Sequence, residues 1–245
     1  MVLSTTTTTM PESDIVNTHN SLPIIPEPLI PEPLIQDVNI LIEMLPSIIN
    51  HYRNNENYEM ALYYANMYYV ALKSKYGDVL SVDFAKVTYI LAKIYSDLNN
   101  FTNSIIFYES CVFMKRRLLL ENKISSKSLN NTLYNYGLLL TTIGKFNEAL
   151  PILLEIVETE NFEPTIIITS NNKNEVIEYV NVLSTIAICA KKLGDVNTSH
   201  EIIELIIQHL ANINDNNVTD LFNNVFEICE YNVDDEYNND NYNDN

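Results

Sequence analysis

Residues 133–156 decide the fold, and they read LYNYGLLLTTIGKFNEALPILLEI. Apolar side chains recur at spacings of three and four on both sides of Gly144, a pattern that predicts two amphipathic helices joined by a short turn. Gly137 and Ala149 are small residues, one in each half of the stretch. Because small residues let two helices cross closely, we predict a helical hairpin whose seam is filled by Leu153.

The same frame recurs in three other parts of the chain. The small residues predicted for the second helix of each pair are 43, 45 and 50 residues apart, and they are Ala61, Ser104, Ala149 and Ser199. A single helix pair cannot bury its apolar face alone, whereas stacked pairs bury a continuous core. The recurrence therefore predicts a domain of stacked helix pairs.

The unit resembles the tetratricopeptide repeat, and the phrase Gly-Lys-Phe-Asn-Glu-Ala-Leu-Pro at 144–151 is similar to the longer repeats of kinesin light chains. The resemblance covers roughly residues 40–212 and implies an all-α fold, a right-handed α-solenoid of about four tetratricopeptide-like helix pairs. It is most specific in the third pair and weakest in the first, where Pro46 is expected to interrupt the leading helix. The amphipathic segment 218–229 is expected to add a C-terminal capping helix.

Polar breaks and composition predict three regions along the chain. Residues 1–36 form a Pro-rich arm that we expect to be disordered, with the pentapeptide Ile-Pro-Glu-Pro-Leu repeated in tandem at 25–34. The arm is either a semi-rigid tether or a docking motif for a partner. Residues 37–233 form the repeat domain, which eight polar breaks divide into nine predicted helices, with a loop at 164–169. Residues 234–245 form an acidic tail that we also expect to be disordered.

The net charge of -18 is concentrated at the two ends of the chain. Residues 1–52 and 193–245 contain acids and no Lys or Arg, whereas residues 53–192 contain fourteen acids and fourteen bases. This balance argues against nucleic acid and anionic membranes as partners, because both require clustered positive charge. The absence of a long apolar run and of a secretory signal, and the odd number of three cysteines, indicate a cytoplasmic protein without a membrane span.

Catalytic patterns are absent from the sequence. The four histidines are scattered without metal-ligand spacing, and neither a nucleophile with a base nor a phosphate-binding loop stands out. We therefore expect no enzyme activity, no metal and no cofactor. The basic run at 115–117 is interpreted as favourable charge at a helix C-terminus followed by a solvated loop.

The resemblance also indicates where a ligand would bind. In tetratricopeptide solenoids the first helix of each pair lines the concave face, and defined repeat positions point into the groove. Counted from Gly137, those positions supply a predicted peptide-binding groove with Glu43 as its main opposing acid. The predicted groove residues are Asn50, Arg53, Lys86, Tyr89, Lys93, Asn131, Tyr134, Asn135, Asn181 and Lys191.

The types of these side chains suggest the ligand. Asn side chains can pair with the backbone of an extended peptide, and Lys and Arg can pair with its carboxylates. The leading hypothesis is a non-enzymatic adaptor that binds a protein or peptide partner, an acidic one, in its groove. The alternative is a structural subunit of a larger assembly, held through its outer face. In either case the tail from Asp234 is predicted to visit the groove and compete with acidic ligands.

Overall fold

A computed structural model describes residues 38–77, 80–159 and 173–210, and in these ranges the chain is helical. Its eight helices are α1 Val38–Asn54, α2 Tyr58–Tyr76, α3 Val82–Asp97, α4 Phe101–Leu120, α5 Ser126–Thr142, α6 Phe146–Thr159, α7 Lys173–Lys192 and α8 Val196–Leu210. The all-α fold is confirmed. The arm, the 164–169 loop, the helix expected at 218–229 and the acidic tail lie outside the described residues.

The helices pack in sequential pairs that stack along the chain. The odd-numbered A helices each pack against the even-numbered B helix that follows: α1 on α2, α3 on α4, α5 on α6 and α7 on α8. Each later A helix also packs against the B helix of the preceding pair, and α5 contacts α7 directly. A single apolar cluster runs through the stack from Leu41 to Cys189. Four stacked pairs with one continuous core confirm the predicted repeat architecture.

One turn geometry joins the two helices of every pair. The turn contains a residue with positive φ, five positions before the small residue of the B helix, and these residues are Glu56, Asn99, Gly144 and Gly194. In each turn the next N–H donates back to a carbonyl five residues earlier, at 2.8–2.9 Å: Asn57 to Tyr52, Asn100 to Tyr95, Lys145 to Leu140 and Asp195 to Ala190. This hydrogen bond caps the end of the A helix, as in a Schellman motif.

Side-chain caps begin three of the four B helices. The Asn57 side chain accepts a hydrogen bond from the Met60 N–H at 3.2 Å. In the same way, Asn100 accepts from the Asn103 N–H at 3.3 Å and Asp195 accepts from the Thr198 N–H at 3.1 Å. Asn and Asp are favoured at this position because their oxygen satisfies an N–H that has no partner within the helix. Part of the asparagine content of the chain is therefore structural.

The small residues lie where the paired helices cross. Ala61, Ser104, Ala149 and Ser199 are all buried, and the Ser104 hydroxyl donates to the carbonyl of Ala92 in α3 at 2.8 Å. In the third pair, a Cβ added to Gly137 would lie 2.5 Å from Cδ2 of Leu153. The seam predicted from residues 133–156 is thus confirmed, and Gly137 and Leu153 are the residues in contact where α5 crosses α6.

The expectation for Pro46 is wrong, because α1 continues through this residue from Val38 to Asn54. Proline removes one backbone hydrogen bond and crowds the preceding turn, which usually kinks or ends a helix. Here Leu41, Leu45 and Ile49 are buried along one side of α1, before and after the proline, so tertiary packing holds both halves. A second internal proline, Pro151, is accommodated in α6.

Candidate functional site

The predicted groove residues all lie on A helices. We call the side of the stack that they share the A-helix face. Asn50 and Arg53 belong to α1, while Lys86, Tyr89 and Lys93 belong to α3. Helix α5 supplies Asn131, Tyr134 and Asn135, and α7 supplies Asn181 and Lys191. The A-helix face therefore collects side chains from all four pairs, and their role in binding remains a prediction.

An ion pair connects the first two A helices across this face. Arg53 in α1 donates from Nη2 and Nε to the carboxylate of Asp97 in α3, at 2.8 and 3.2 Å. About a quarter of each side chain is exposed, so water screens the pair only in part. Glu43 was predicted to be the main opposing acid, and Asp97 takes that place instead. Glu43 lies ten residues before Arg53 on the same helix, about 15 Å away along the axis.

Lys93 lies beside this ion pair, one turn before Asp97. It is half-buried, and its Nζ lies 5.8 Å from the centre of the Tyr89 ring. Burial lowers the pKa of Lys93 and the positive charge of Arg53 lowers it further, while Asp97 acts in the opposite direction. The lysine is thus a cation that is incompletely compensated by its surroundings.

A second lysine near the Tyr89 ring comes from the B helix α4. Lys115 is 8% exposed, and its Nζ donates to the carbonyl of Ser128 at 2.7 Å and to Oγ1 of Thr132 at 2.8 Å. The same Nζ lies 5.2 Å from the centre of the Tyr89 ring. Burial lowers the pKa of Lys115, and its electrostatic interaction with Cys111 acts in the opposite direction. Both of its hydrogen-bond acceptors are neutral oxygens. The interpretation of the run at 115–117 as favourable charge at a helix C-terminus is therefore wrong for Lys115, which is buried, whereas Arg117 does lie in the last turn of α4.

These side chains form one polar cluster that extends from the first pair to the third, because Lys115 donates to groups of α5. We call it the Tyr89 cluster, and it consists of Arg53, Tyr89, Lys93, Asp97 and Lys115. With ordinary ionisation its three cations exceed its single carboxylate. Burial raises the pKa of the Tyr89 hydroxyl, and its ring packs edge-on against Tyr108 at 6.2 Å between centres. The cluster thus presents excess positive charge around an aromatic ring that is half-buried, a setting in which an added carboxylate would be attracted.

The other half of the A-helix face is neutral and polar. Asn135 donates to the side chain and the backbone carbonyl of Asn131, at 2.9 and 2.7 Å. Burial raises the pKa of Tyr134, and a side-chain hydrogen bond with Thr185 of α7 opposes that effect. Thr185 in turn donates to the carbonyl of Asn181 at 2.8 Å. These contacts join α5 to α7 and leave amide groups beside the exposed surface.

The remaining predicted residues lie apart from the Tyr89 cluster. Lys86 is exposed two turns before Lys93 and pairs with Asp83 at 3.5 Å within its own helix. Asn50 is exposed one turn before Arg53, and Lys191 is half-buried near the end of α7.

Two members of the cluster were missed by the sequence prediction. Asp97 stands four residues after Lys93, the spacing of an ion pair on one helix, which could have identified it. Lys115 is four residues after Cys111 on the buried side of α4, and this apolar register could have shown that it points inward.

Metal binding, membrane insertion and thiol chemistry are three further possibilities for the described part of the chain. Within residues 38–77, 80–159 and 173–210, no group of three or more His, Cys, Asp and Glu side chains could hold a metal ion. In the same ranges no helix is long and apolar enough to cross a membrane. Cys111 and Cys189 are free thiols in the core, and burial raises the pKa of Cys111 to about 11, which keeps it unreactive.

Stacked helix pairs with this turn, this crossing and this A-helix face define an α-helical repeat fold. Residues 85–116, within α3 and α4, match the family model described as tetratricopeptide repeat. The matched segment is the second pair, although the third pair has the most specific sequence. A search of curated proteins gives no match.

Two solved structures with the same fold come from different organisms. A Podosopora anserina protein assigned as a kinesin light chain with nearly identical TPR-like repeats has a TM-score of 0.59 and 12% identity, over 79% of this chain and 89% of that chain. BtubC (BKLC) from P. vanneervenii has a TM-score of 0.60 and 15% identity, over 74% of this chain and 67% of that chain.

A third similar structure is MamA from Desulfovibrio magneticus RS-1, from position 41 to its end, with a TM-score of 0.50 and 10% identity, over 79% of this chain and 97% of that chain. At these identities the similarity is one of fold. It confirms the predicted resemblance to tetratricopeptide repeats of the kinesin-light-chain kind. Such repeats indicate a scaffold for protein–protein interaction.

Proposed function

We propose that the protein is a non-enzymatic adaptor that binds an acidic peptide segment of a protein partner on its A-helix face. The observation that carries the proposal is the excess positive charge of the Tyr89 cluster. Asp97 is the one carboxylate of the cluster, and Arg53 and Lys93 both interact with it, while Lys115 donates to neutral oxygens. A carboxylate brought close to Lys93 would supply the missing negative charge in a partly desolvated site, where charge-assisted hydrogen bonds are strong.

The neighbouring α5–α7 surface supports a peptide rather than a small anion. Its amides and hydroxyls, those of Asn131, Asn135 and Asn181 among them, can pair with the backbone of an extended segment. Lys86 extends the positive side of the face, about 10.5 Å along α3 from Lys93. A ligand with several spaced acidic side chains fits this arrangement better than one with a single carboxylate.

A charge-reversal experiment tests the proposal. The probe is a fluorescent octapeptide of alternating Glu and Ser, compared with the same peptide containing Gln, in an anisotropy titration at low salt. The variant K86E/K93E should bind the Glu peptide at least about tenfold more weakly than the wild type, since each lost charged contact contributes about 1.5 kcal/mol or more. The Gln peptide should bind weakly to both proteins.

The matched control is K123E/K145E, which makes the same change in net charge on lysines at two turns of the stack. Both residues are exposed and pair locally, Lys123 with Glu121 and Lys145 with Glu148. Equal loss of affinity in the control would show a general charge effect, and undiminished binding by K86E/K93E would refute groove recognition.

We further propose that the adaptor works in the cytoplasm. The two cysteines of the described core, Cys111 and Cys189, are unpaired thiols, which suits a reducing compartment. Fluorescence microscopy of the tagged chain in intact cells would test this location. A signal from an oxidising compartment would contradict it.

The alternative, a structural subunit held through its outer face, has support from one surface of α4. Ile106 and Phe113 are seven residues apart and expose 40% and 48% of their area, and Leu120, seven residues further, exposes 84%. A line of apolar side chains along an exposed helix is typical of a protein contact. Co-migration in a stable complex on size exclusion, lost in I106D/F113D and retained in K86E/K93E, would favour this function over the first.

A further inference from the structure

Helix α1 lacks the neighbour that every other A helix has. Helices α3, α5 and α7 each pack against the B helix of the preceding pair, and no described helix precedes α1 in the stack. The effect is visible in burial: α1 has three buried residues, against seven in α3 and eight in α5. The first end of a helical stack needs a polar surface or a cover, because the repeat pattern otherwise exposes apolar side chains.

The open side of α1 is apolar in its first two turns only. Ile40 and Met44 are one turn apart and expose 46% and 49% of their area. Further along the same line of the helix, Ser47 and His51 are exposed and polar. We call Ile40 and Met44 the end patch. A cover has to supply only a few apolar side chains, since the patch extends over about 6 Å of the helix axis.

Basic side chains lie at the same end of the α1–α2 hairpin as the end patch. The α1–α2 hairpin places the last turn of α2 beside the first turn of α1, and that turn contains Lys73 and Lys75. Lys75 lies over the ring of Tyr76, with its Nζ 4.8 Å from the ring centre, and Tyr76 is 42% exposed. An exposed acid, Glu43, also lies beside Met44 on α1, so a cover with acidic side chains has to place them towards α2 and its apolar side chains towards the patch.

We propose that the tandem Ile-Pro-Glu-Pro-Leu segment of the same chain, residues 25–34, covers the end patch. The segment combines Ile and Leu for Ile40 and Met44 with two glutamates, Glu27 and Glu32, for the lysines of α2. Prolines pre-form an extended backbone, so little conformational entropy is lost when it docks.

The position of the segment in the chain strengthens this assignment. Leu34 is four residues before Val38, the first described residue of α1, so it lies within about 14 Å of it even when the chain is fully extended. Ile40 and Met44 lie about 3 and 9 Å along the helix from Val38. A tether this short gives an effective concentration on the order of millimolar, so a weak contact is sufficient.

A second copy of the chain fits the patch less well. A stable interface between proteins buries about 800 Å² on each partner, far more than an Ile and a Met can supply. The polar Ser47 and His51 would also face the partner along the rest of α1. The size and the composition of the patch favour the short tethered segment.

The test uses methionine methyl NMR on the full chain. In the variant L29N/L34N the Met44 signal should move, and it should move to the same place when residues 1–36 are deleted. Signals of Met60, Met67 and Met114, in α2 and α4, should stay unchanged. A synthetic peptide of residues 22–36, added to the deletion variant, should return Met44 towards its original position. The matched control is V2N/L3N, which alters the arm outside the pentapeptides and should leave Met44 unchanged.

Three outcomes would overturn the assignment. The first is a Met44 signal that stays in place in both L29N/L34N and the deletion variant. The second is movement of all the methionine signals together, which would indicate a global effect of the arm instead of a local contact. The third is a Met44 signal that depends on protein concentration while the mass doubles on size exclusion, which would assign the patch to a second copy. None of these measurements involves the A-helix face, so they are independent of peptide binding.

Discussion

Replacing Gly137 with alanine should destabilise the protein, although the same change usually stabilises a helix. Gly137 lies inside α5 with ordinary helical backbone, and alanine at such a position gains about 1 kcal/mol of helix propensity. The added Cβ, however, would lie 2.5 and 2.7 Å from Cδ2 and Cγ of Leu153. Leu153 is completely buried in α6, so its side chain has no open space into which it could move.

The two effects have similar sizes and opposite signs. Overpacking of a well-packed core costs about 1–3 kcal/mol, so G137A should lower the free energy of unfolding by about 1 kcal/mol after the propensity gain is included. All three atoms nearest to the added Cβ belong to Leu153. Removal of that side chain therefore removes the clash and leaves the gain in propensity.

A double-mutant cycle measured by urea denaturation makes this reasoning testable. L153A alone should cost about 2–5 kcal/mol, as a large-to-small change in a core. In the L153A background, G137A should become stabilising by about 1 kcal/mol, which gives a coupling energy of about 2 kcal/mol between the two sites. If G137A has the same effect in both backgrounds, Gly137 and Leu153 do not set the spacing between α5 and α6, and the explanation of the seam is refuted.

Three further predictions concern charge. Burial lowers the pKa of Lys115 below its ordinary value of 10.5. Between the lowered pKa and 10.5 the unfolded chain binds more protons than the folded chain, so the contribution of this lysine to stability rises with pH in that window. Denaturation curves should therefore shift in favour of the wild type over K115M as the pH rises towards 10.5, and a constant difference would contradict the lowered pKa. D97N should strengthen acidic-peptide binding several-fold in anisotropy titrations, because Arg53 becomes available to the peptide. The same change should lower the free energy of unfolding by about 0.5–1 kcal/mol. Weaker peptide binding by D97N would show instead that Asp97 organises the site. Truncation after Val233 should tighten acidic-peptide binding at low salt if the acidic tail competes, and equal affinities would exclude competition.

The predictable part of the fold is the part fixed by local pattern. Helix periodicity and the small residues at 61, 104, 149 and 199 specify four hairpins and their crossings, because steric size decides how closely two helices approach. Glycine at 144 and 194 indicates a turn residue with positive φ, whereas Glu56 and Asn99 adopt the same positive φ without a glycine to indicate it. Pro46 was misread because tertiary packing around α1 outweighs a local preference.

The candidate site was predictable by position and less so by charge. The repeat frame placed the ten residues on A helices, because a position in the frame determines which way its side chain points relative to the partner helix. Ion pairing depends on which helices become neighbours, so the contact of Arg53 with Asp97, 44 residues apart, has no sequence signal of its own. Lys115 was interpreted as favourable charge at the C-terminus of a helix, and it is buried against hydrogen-bond acceptors of α5 that the local sequence does not indicate.

The most direct test of peptide recognition by the A-helix face is lysine protection measured by mass spectrometry. The wild type is acetylated with an amine-specific reagent, with and without the alternating Glu-Ser octapeptide, and modification is quantified at each lysine. Bound peptide should protect Lys86 and Lys93, while Lys123 and Lys145 on the turns should react equally in both samples. Equal modification of Lys86 and Lys93 with and without saturating peptide would contradict the proposed groove.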